Sequence, residues 1–135
     1  MVKPTKERTY KPKEIKARLA ADLPLWVYRD GLIRRRYETG GWKGTLMVIN
    51  AVGHLAEAAW HHPDIAASYN WVEVGLQNHA AKGVTDKDFE LARLIEDLIQ
   101  WRPDPGSALE GTPKGDARFA YVKYDEPPAR RRRTA

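Results

Sequence analysis

Residues 42–60 hold the densest helical signal in the chain: Leu46, Met47, Val48, Ile49, Val52, Leu55, Ala56 and Ala59 put apolar side chains in almost every helical direction. A helix of that kind is expected to be covered by protein on most sides, so the remaining chain has to wrap around it. One stripe interrupts the pattern. Asn50, His54, Glu57 and His61 follow at spacings of four, three and four residues, which stacks them within about 60° of arc on one helical face. Two imidazoles, an amide and one carboxylate read as the lining of a partly buried cleft, since a wet face favours Lys and Glu. A solvated strip is the competing reading, and the stronger one for His54 alone. The pattern ends in Glu57-Ala58-Ala59-Trp60-His61-His62-Pro63, and this stretch is the candidate active-site corner.

Chemistry at that corner has to come from imidazoles, carboxylates or hydroxyls, because the chain has no cysteine and so no disulfide framework, thiolate ligand or thiol nucleophile. At 135 residues, 42% hydrophobic and with five tryptophans, it has the composition of one globular domain. No apolar run approaches the roughly 18 residues of a membrane span, and residues 1–6 lack the apolar core of a signal peptide, so a cytoplasmic location is expected. The net charge of +5 is uneven: Arg34-Arg35-Arg36 and Arg130-Arg131-Arg132-Arg133 hold seven of the 23 basic residues. The second run reads as a solvated tail or as a handle for an acidic partner. No nucleic-acid-binding motif accompanies it, so nucleic acid is not an expected partner.

Along the chain, residues 1–10 are basic and aperiodic and read as a flexible arm. Pro12 suits a first helical turn, and Ile15, Leu19 and Leu23 form one apolar stripe that Pro24 stops. Asp30-Gly31 between two β-rich runs signals a hairpin, which places Arg34, Arg35 and Arg36 on a strand. Residues 69–78 alternate as a strand with Val72, Val74 and Leu76 on one face, preceded by a short loop after Pro63. Val84, Thr85, Asp88 and Phe89 fit the start of a helix that runs to about Trp101. The order helix, strand, strand, helix, strand, helix predicts an α+β fold, an antiparallel sheet with helices packed on one face. Residues 103–125 form an extension rich in Pro and Gly; its residues 119–124 alternate like a strand and are expected to lie against the body, a second subunit or a partner. Residues 126–135 form the basic tail.

The full constellation is Glu57, then His61-His62-Pro63, Tyr69, His79 and Asp88. Its spacing resembles that of the pterin-4a-carbinolamine dehydratases, also known as dimerisation cofactors of a homeodomain transcription factor. The resemblance covers residues 12–101, including Tyr69-Asn70 and the Gly83-Val84-Thr85 turn. It implies dehydration of a 4a-hydroxytetrahydropterin to the quinonoid dihydropterin, with the pterin as substrate and neither metal nor other cofactor. By the same resemblance His61 and His79 are the acid–base pair, His62 contacts the pterin, and Asp88 and Glu57 orient the imidazoles; imidazole suits such proton transfers at neutral pH. Residue by residue, plainer readings stay open. Asp88 can be a helix N-terminal carboxylate, His62 a helix-end residue, and Glu57 with His61 a surface pair one turn apart. A zinc or iron site from the same side chains is conceivable chemically, but the resemblance implies none.

Three departures bear on activity rather than ancestry. Tyr37-Glu38-Thr39-Gly40-Gly41-Trp42 replaces the family's aromatic-x-aromatic-Asp-Phe pattern, no bulky aromatic follows Pro63 in Asp64-Ile65-Ala66-Ala67, and Asn78 stands where Thr commonly precedes the third His. The extension beyond Trp101 resembles that of a carboxysome-associated branch whose members assist assembly of ribulose-bisphosphate carboxylase (RuBisCO). That resemblance implies the RuBisCO large subunit as an alternative partner, served by the extension and the Arg34–Arg36 strand. Family members resembling this chain form dimers and tetramers, so self-association is expected, as it is for any small sheet with open edges.

Overall fold

A computed structural model describes residues 7–111 and 120–125. Helix α1 (Pro12–Asp22) starts with proline in its first turn, and the Glu14 carboxylate accepts the Lys11 amide hydrogen at 2.9 Å. The Asp30-Gly31 step joins β1 (Val27–Arg29) to β2 (Leu32–Glu38), with φ of 53° and 82° at its two residues, as a two-residue primed turn requires. Helix α2 (Trp42–Ala59) follows, then β3 (Asp64–Ser68), β4 (Trp71–Leu76) and α3 (Asp86–Ile99). The four strands make one sheet in the order β1-β2-β4-β3, antiparallel throughout. No helix among the described residues is long and apolar enough to cross a membrane.

Register decides which face the helices cover. Ile33 lies opposite Leu76, Arg35 opposite Val74 and Tyr37 opposite Val72, so these six side chains share one face. All but Arg35 join a single buried core with Ile15 and Leu19 of α1, Val48 and Val52 of α2, and Phe89, Ile95 and Ile99 of α3. The expected α+β architecture is therefore present, with a strand added between α2 and the expected strand that follows it. The stretch after Pro63 is not a loop but β3, an edge strand whose five residues are all exposed, held by pairing with β4. Its partner is correspondingly shorter than the expected residues 69–78, because Tyr69 and Asn70 form the connection. Helix α3 likewise stops at Ile99, short of Trp101.

Helix α2 departs further from expectation. Gly44, Thr45, Val48, Val52 and Ala56 are buried on one side, while Trp42, Leu46 and Met47 are 53%, 41% and 45% exposed. Its apolar residues thus exceed what this chain covers. The stripe of Asn50, His54 and Glu57 is exposed too, which corrects the expected cleft: only His61, beyond the helix end, is withdrawn from solvent.

Both ends of the described chain are tied to the body. Residues 7–10 are not the free arm expected: the Tyr10 amide donates to the Val84 carbonyl at 3.0 Å, its hydroxyl donates to Asp86 at 2.7 Å, and its ring packs edge-on against Phe89. At the other end Val122 is fully buried and bridges Thr39, flanked by bonds from the Gly40 amide to the Tyr121 carbonyl and from Lys123 to the Glu38 carbonyl. The strand expected over residues 119–124 is thus one bridge among the described residues, and Phe119 lies outside them. A Cβ at Gly44 would sit 2.2 Å from the Tyr121 carbonyl oxygen, so this strap requires glycine there.

The strap ends on a buried ion network that pattern reading did not foresee. Arg35 donates twice to Glu96, at 2.8 and 3.1 Å, and once to Asp125 at 2.6 Å; Tyr37 and Trp26 donate to the same Glu96 oxygen at 2.7 and 2.9 Å. Burial alone would raise the Glu96 carboxyl, but the hydrogen bonds and charge of Arg35, with Tyr37 and Trp26, outweigh it and hold the group below the usual range. Its neighbours Arg34 and Arg36 pair with Glu73 and Glu38, so the three arginines are engaged within the chain.

Candidate active site

The site begins with how α2 stops. Trp60 adopts the left-handed conformation (φ 53°, ψ 47°), its amide donating to Glu57 and the His61 amide to the Ala56 carbonyl, the bonding of a Schellman motif. Glycine is the usual residue at that position; an indole there costs about 1 kcal/mol or more in backbone strain. The motif turns His61 off the helical path towards α3.

There the two carboxylate oxygens of Asp88, which is fully buried, have separate tasks. Oδ2 accepts the Thr85 amide hydrogen at 2.8 Å and fixes the start of α3, while Oδ1 lies 2.6 Å from His61 Nε2. The helix-cap reading of Asp88 holds, and the same side chain also reaches His61. With Oδ1 accepting, Nε2 carries the ring hydrogen and Nδ1 is the nitrogen left to exchange a proton. The His61 side chain is 12% exposed, within reach of solvent yet held from behind.

Support continues inward through a residue that looked only like a departure. Asn78 is buried; it donates to Thr85 Oγ1 at 3.4 Å and accepts the Ala81 amide at 3.1 Å, while its own backbone pairs with Gly83 in both directions. Asn78 thus closes the turn that holds His79 and supports Thr85, which in turn supports Asp88. The sequence signal was its place between a strand and a turn, where a short amide side chain stabilises loops.

The remaining expected residues sit further out. His62 Nε2 is 2.9 Å from Glu57 Oε1 in an exposed pair, and the Trp60 indole packs edge-on against the His62 ring at 4.9 Å. Glu57 therefore pairs with His62, not with His61 one turn away as the surface-pair reading had it. His79 is exposed on the Asn78–Gly83 turn and, among the described residues, its side chain has no hydrogen bond to the other four. The structure thus links His61 with Asp88 and His62 with Glu57, and leaves His79 separate. Among the described residues no group of three or more His, Asp or Glu is arranged to hold a metal ion. A groove of about 440 Å³ between α1 and α3, lined by Arg18, Leu23, Phe89 and Leu94 among others, shares no residue with this corner.

The fold has a solved counterpart: the crystal structure of a transcriptional coactivator/pterin dehydratase from Brucella Melitensis, 27% identical, superposes with a TM-score of 0.62 over 67% of this chain and 98% of that one. A second, described as a pterin dehydratase-like RuBisCO assembly factor in the alpha-carboxysome, is 18% identical with a TM-score of 0.45 over 54% of this chain and 84% of that one, too distant to weigh. Among curated relatives named "Putative pterin-4-alpha-carbinolamine dehydratase", one from Aquifex aeolicus (strain VF5) is 39% identical over 69% of this chain and 93% of its own length. Another, from Picosynechococcus sp. (strain ATCC 27264 / PCC 7002 / PR-6), is 42% identical over 63% and 91%. The family model described as Pterin 4 alpha carbinolamine dehydratase matches residues 8–98. This chain belongs to that family.

Proposed function

We propose that this chain dehydrates a 4a-hydroxytetrahydropterin to the quinonoid dihydropterin, with His61 and His79 as the acid–base pair. One proton goes to the 4a-hydroxyl, the C–O bond breaks to release water, and the ring gives up one proton, so the reaction balances without an oxidant or reductant. The observation that supports this reading is the chain of contacts from Asn78 through Thr85 and Asp88 to His61, which orients one imidazole and leaves one of its nitrogens for proton exchange. Glu57 has the same part towards His62, which contacts the pterin.

The experiment is a dehydratase assay on freshly generated 4a-hydroxytetrahydropterin with wild type, His61→Ala and His79→Ala. The reading expects turnover well above the spontaneous rate in wild type and a loss of about 10²-fold or more in each variant. A folded wild type that gives no acceleration would overturn it.

The alternative is assembly assistance to the RuBisCO large subunit. It has less free surface than the sequence implied, because Val122 is in the core and the three arginines are paired. Soluble assembled carboxylase measured with and without the full chain tests it, and equal yields refute it. For self-association, the support is the partly exposed apolar side of α2 and the two open sheet edges, β1 and β3. Light scattering at micromolar concentration should find a dimer or tetramer; a monomer refutes it.

A further inference from the structure

We propose that Trp60 is the stacking platform that holds the planar ring of the substrate beside His62, an inference that rests on the dehydratase reading above. Three observations on this corner converge. The indole is 73% exposed, although it belongs to the largest and most readily buried class of side chain. It occupies a left-handed backbone position (φ 53°) that glycine fills without strain, so the local backbone is not what a tryptophan there serves. Its ring meets the His62 ring edge-on at 4.9 Å and 82°, and His62 is itself paired with Glu57, which brings an indole, an imidazole and a carboxylate together around the residue that precedes and the residue that follows His61 in the chain.

The chemistry of a pterin matches that trio. Its fused heteroaromatic ring has a face that stacks on indole as nucleobases stack on aromatic side chains, and polar edges that an imidazole or carboxylate can bond in the ring plane. The neighbouring aromatics are elsewhere. Residues 64–67 contain none, the Tyr69 hydroxyl lies against Gly41, and Trp42 is at the far end of α2, about 27 Å away along the helix.

The test uses the full chain and its variants Trp60→Gly and Trp60→Phe, with 7,8-dihydrobiopterin as the calorimetric probe and steady-state dehydration alongside. Trp60→Gly is expected to weaken probe binding and raise KM about tenfold, with kcat within about threefold of wild type, and Trp60→Phe to recover most of the loss. The denaturation midpoint of Trp60→Gly should hold or rise, because glycine relieves the positive φ. A purely structural indole predicts the opposite, lower stability with binding intact, and that result overturns the proposal. So does a change in particle mass on sizing with unaltered binding, which would put the indole in an interface. A wild type that turns substrate over while Trp60→Gly keeps its KM sinks this inference alone; a wild type that neither binds pterin nor accelerates dehydration takes both readings down.

Discussion

Helix α3 sends two carboxylates inward, and they are put to different uses. Glu96 is surrounded: Trp26, Arg35 and Tyr37 all donate to it, and Arg35 has Asp125 as a further partner. Asp88 is just as withdrawn, but the partner on its Oδ1 is a histidine at the edge of solvent with one ring nitrogen free of it. A saturated carboxylate fixes the packing of a strand on a helix. A carboxylate with one oxygen in the helix cap and the other on an imidazole transmits the rigidity of the fold to a group that can exchange protons. The same kind of group, eight residues apart on one helix, serves stability in one place and presentation in the other.

That contrast can be broken by measurement. The largest stability loss is expected from Glu96→Ala, about 3 kcal/mol in urea denaturation, because it removes the main partner of a buried guanidinium and leaves it only the half-exposed Asp125. The double variant Arg35→Met/Glu96→Leu should recover most of it. Next comes Asp88→Asn, expected to lower kcat about 10²-fold while costing stability only about 1 kcal/mol through the weakened cap. If Asp88→Asn instead destabilised the fold as much as Glu96→Ala at full activity, the two carboxylates would have one role, not two.

Acid probes the Glu96 network as well. The folded-state carboxyl of Glu96 lies below its unfolded value, so its contribution is fully present above the ordinary glutamate range of about 4.3 and is lost as pH falls through the lower folded value. Urea midpoints should therefore drop below about pH 4.3, and drop less steeply in Arg35→Met/Glu96→Leu. A smaller effect is expected from Asn78→Ala, about 1 kcal/mol of stability and a few-fold in kcat/KM. The exposed His54→Ala should change stability by no more than about 0.5 kcal/mol and leave turnover at the wild-type rate.

Legibility followed the range of the interaction that fixes each element. Helices α1 and α3 and the Asp30-Gly31 hairpin were readable because their signals, a periodic stripe, a cap residue and a turn dipeptide, lie within a few residues of one another. Strand β3 was not: Asp64-Ile65-Ala66-Ala67-Ser68 buries nothing and has no β-rich run, so only its hydrogen bonds to β4 make it a strand. Coverage of α2 was overestimated because apolar residues in a helix record what has to be covered, not whether this chain covers it. At the site, the link between His61 and Asp88 was implied by family resemblance, while the role of Asn78 required seeing the turn it closes. The Arg35 network joins residues up to 90 apart, which no local pattern encodes. One sign was present: Arg35 alternates with Ile33 and Tyr37 on the inward face of its strand, where a lone cation demands a carboxylate partner.

The close approach of the Tyr121 carbonyl to Gly44 sets an order of events for a chain made from its N-terminus. When α3 has left the ribosome, every strand of the sheet is available, yet the site for Val122 is unfilled and Arg35 lacks Asp125. The domain can begin to fold as it is synthesised, but its core closes only when residues 120–125 arrive. A nascent chain paused shortly before them would lack the side chain that fills the core beside Thr39 and the carbonyl that packs on Gly44.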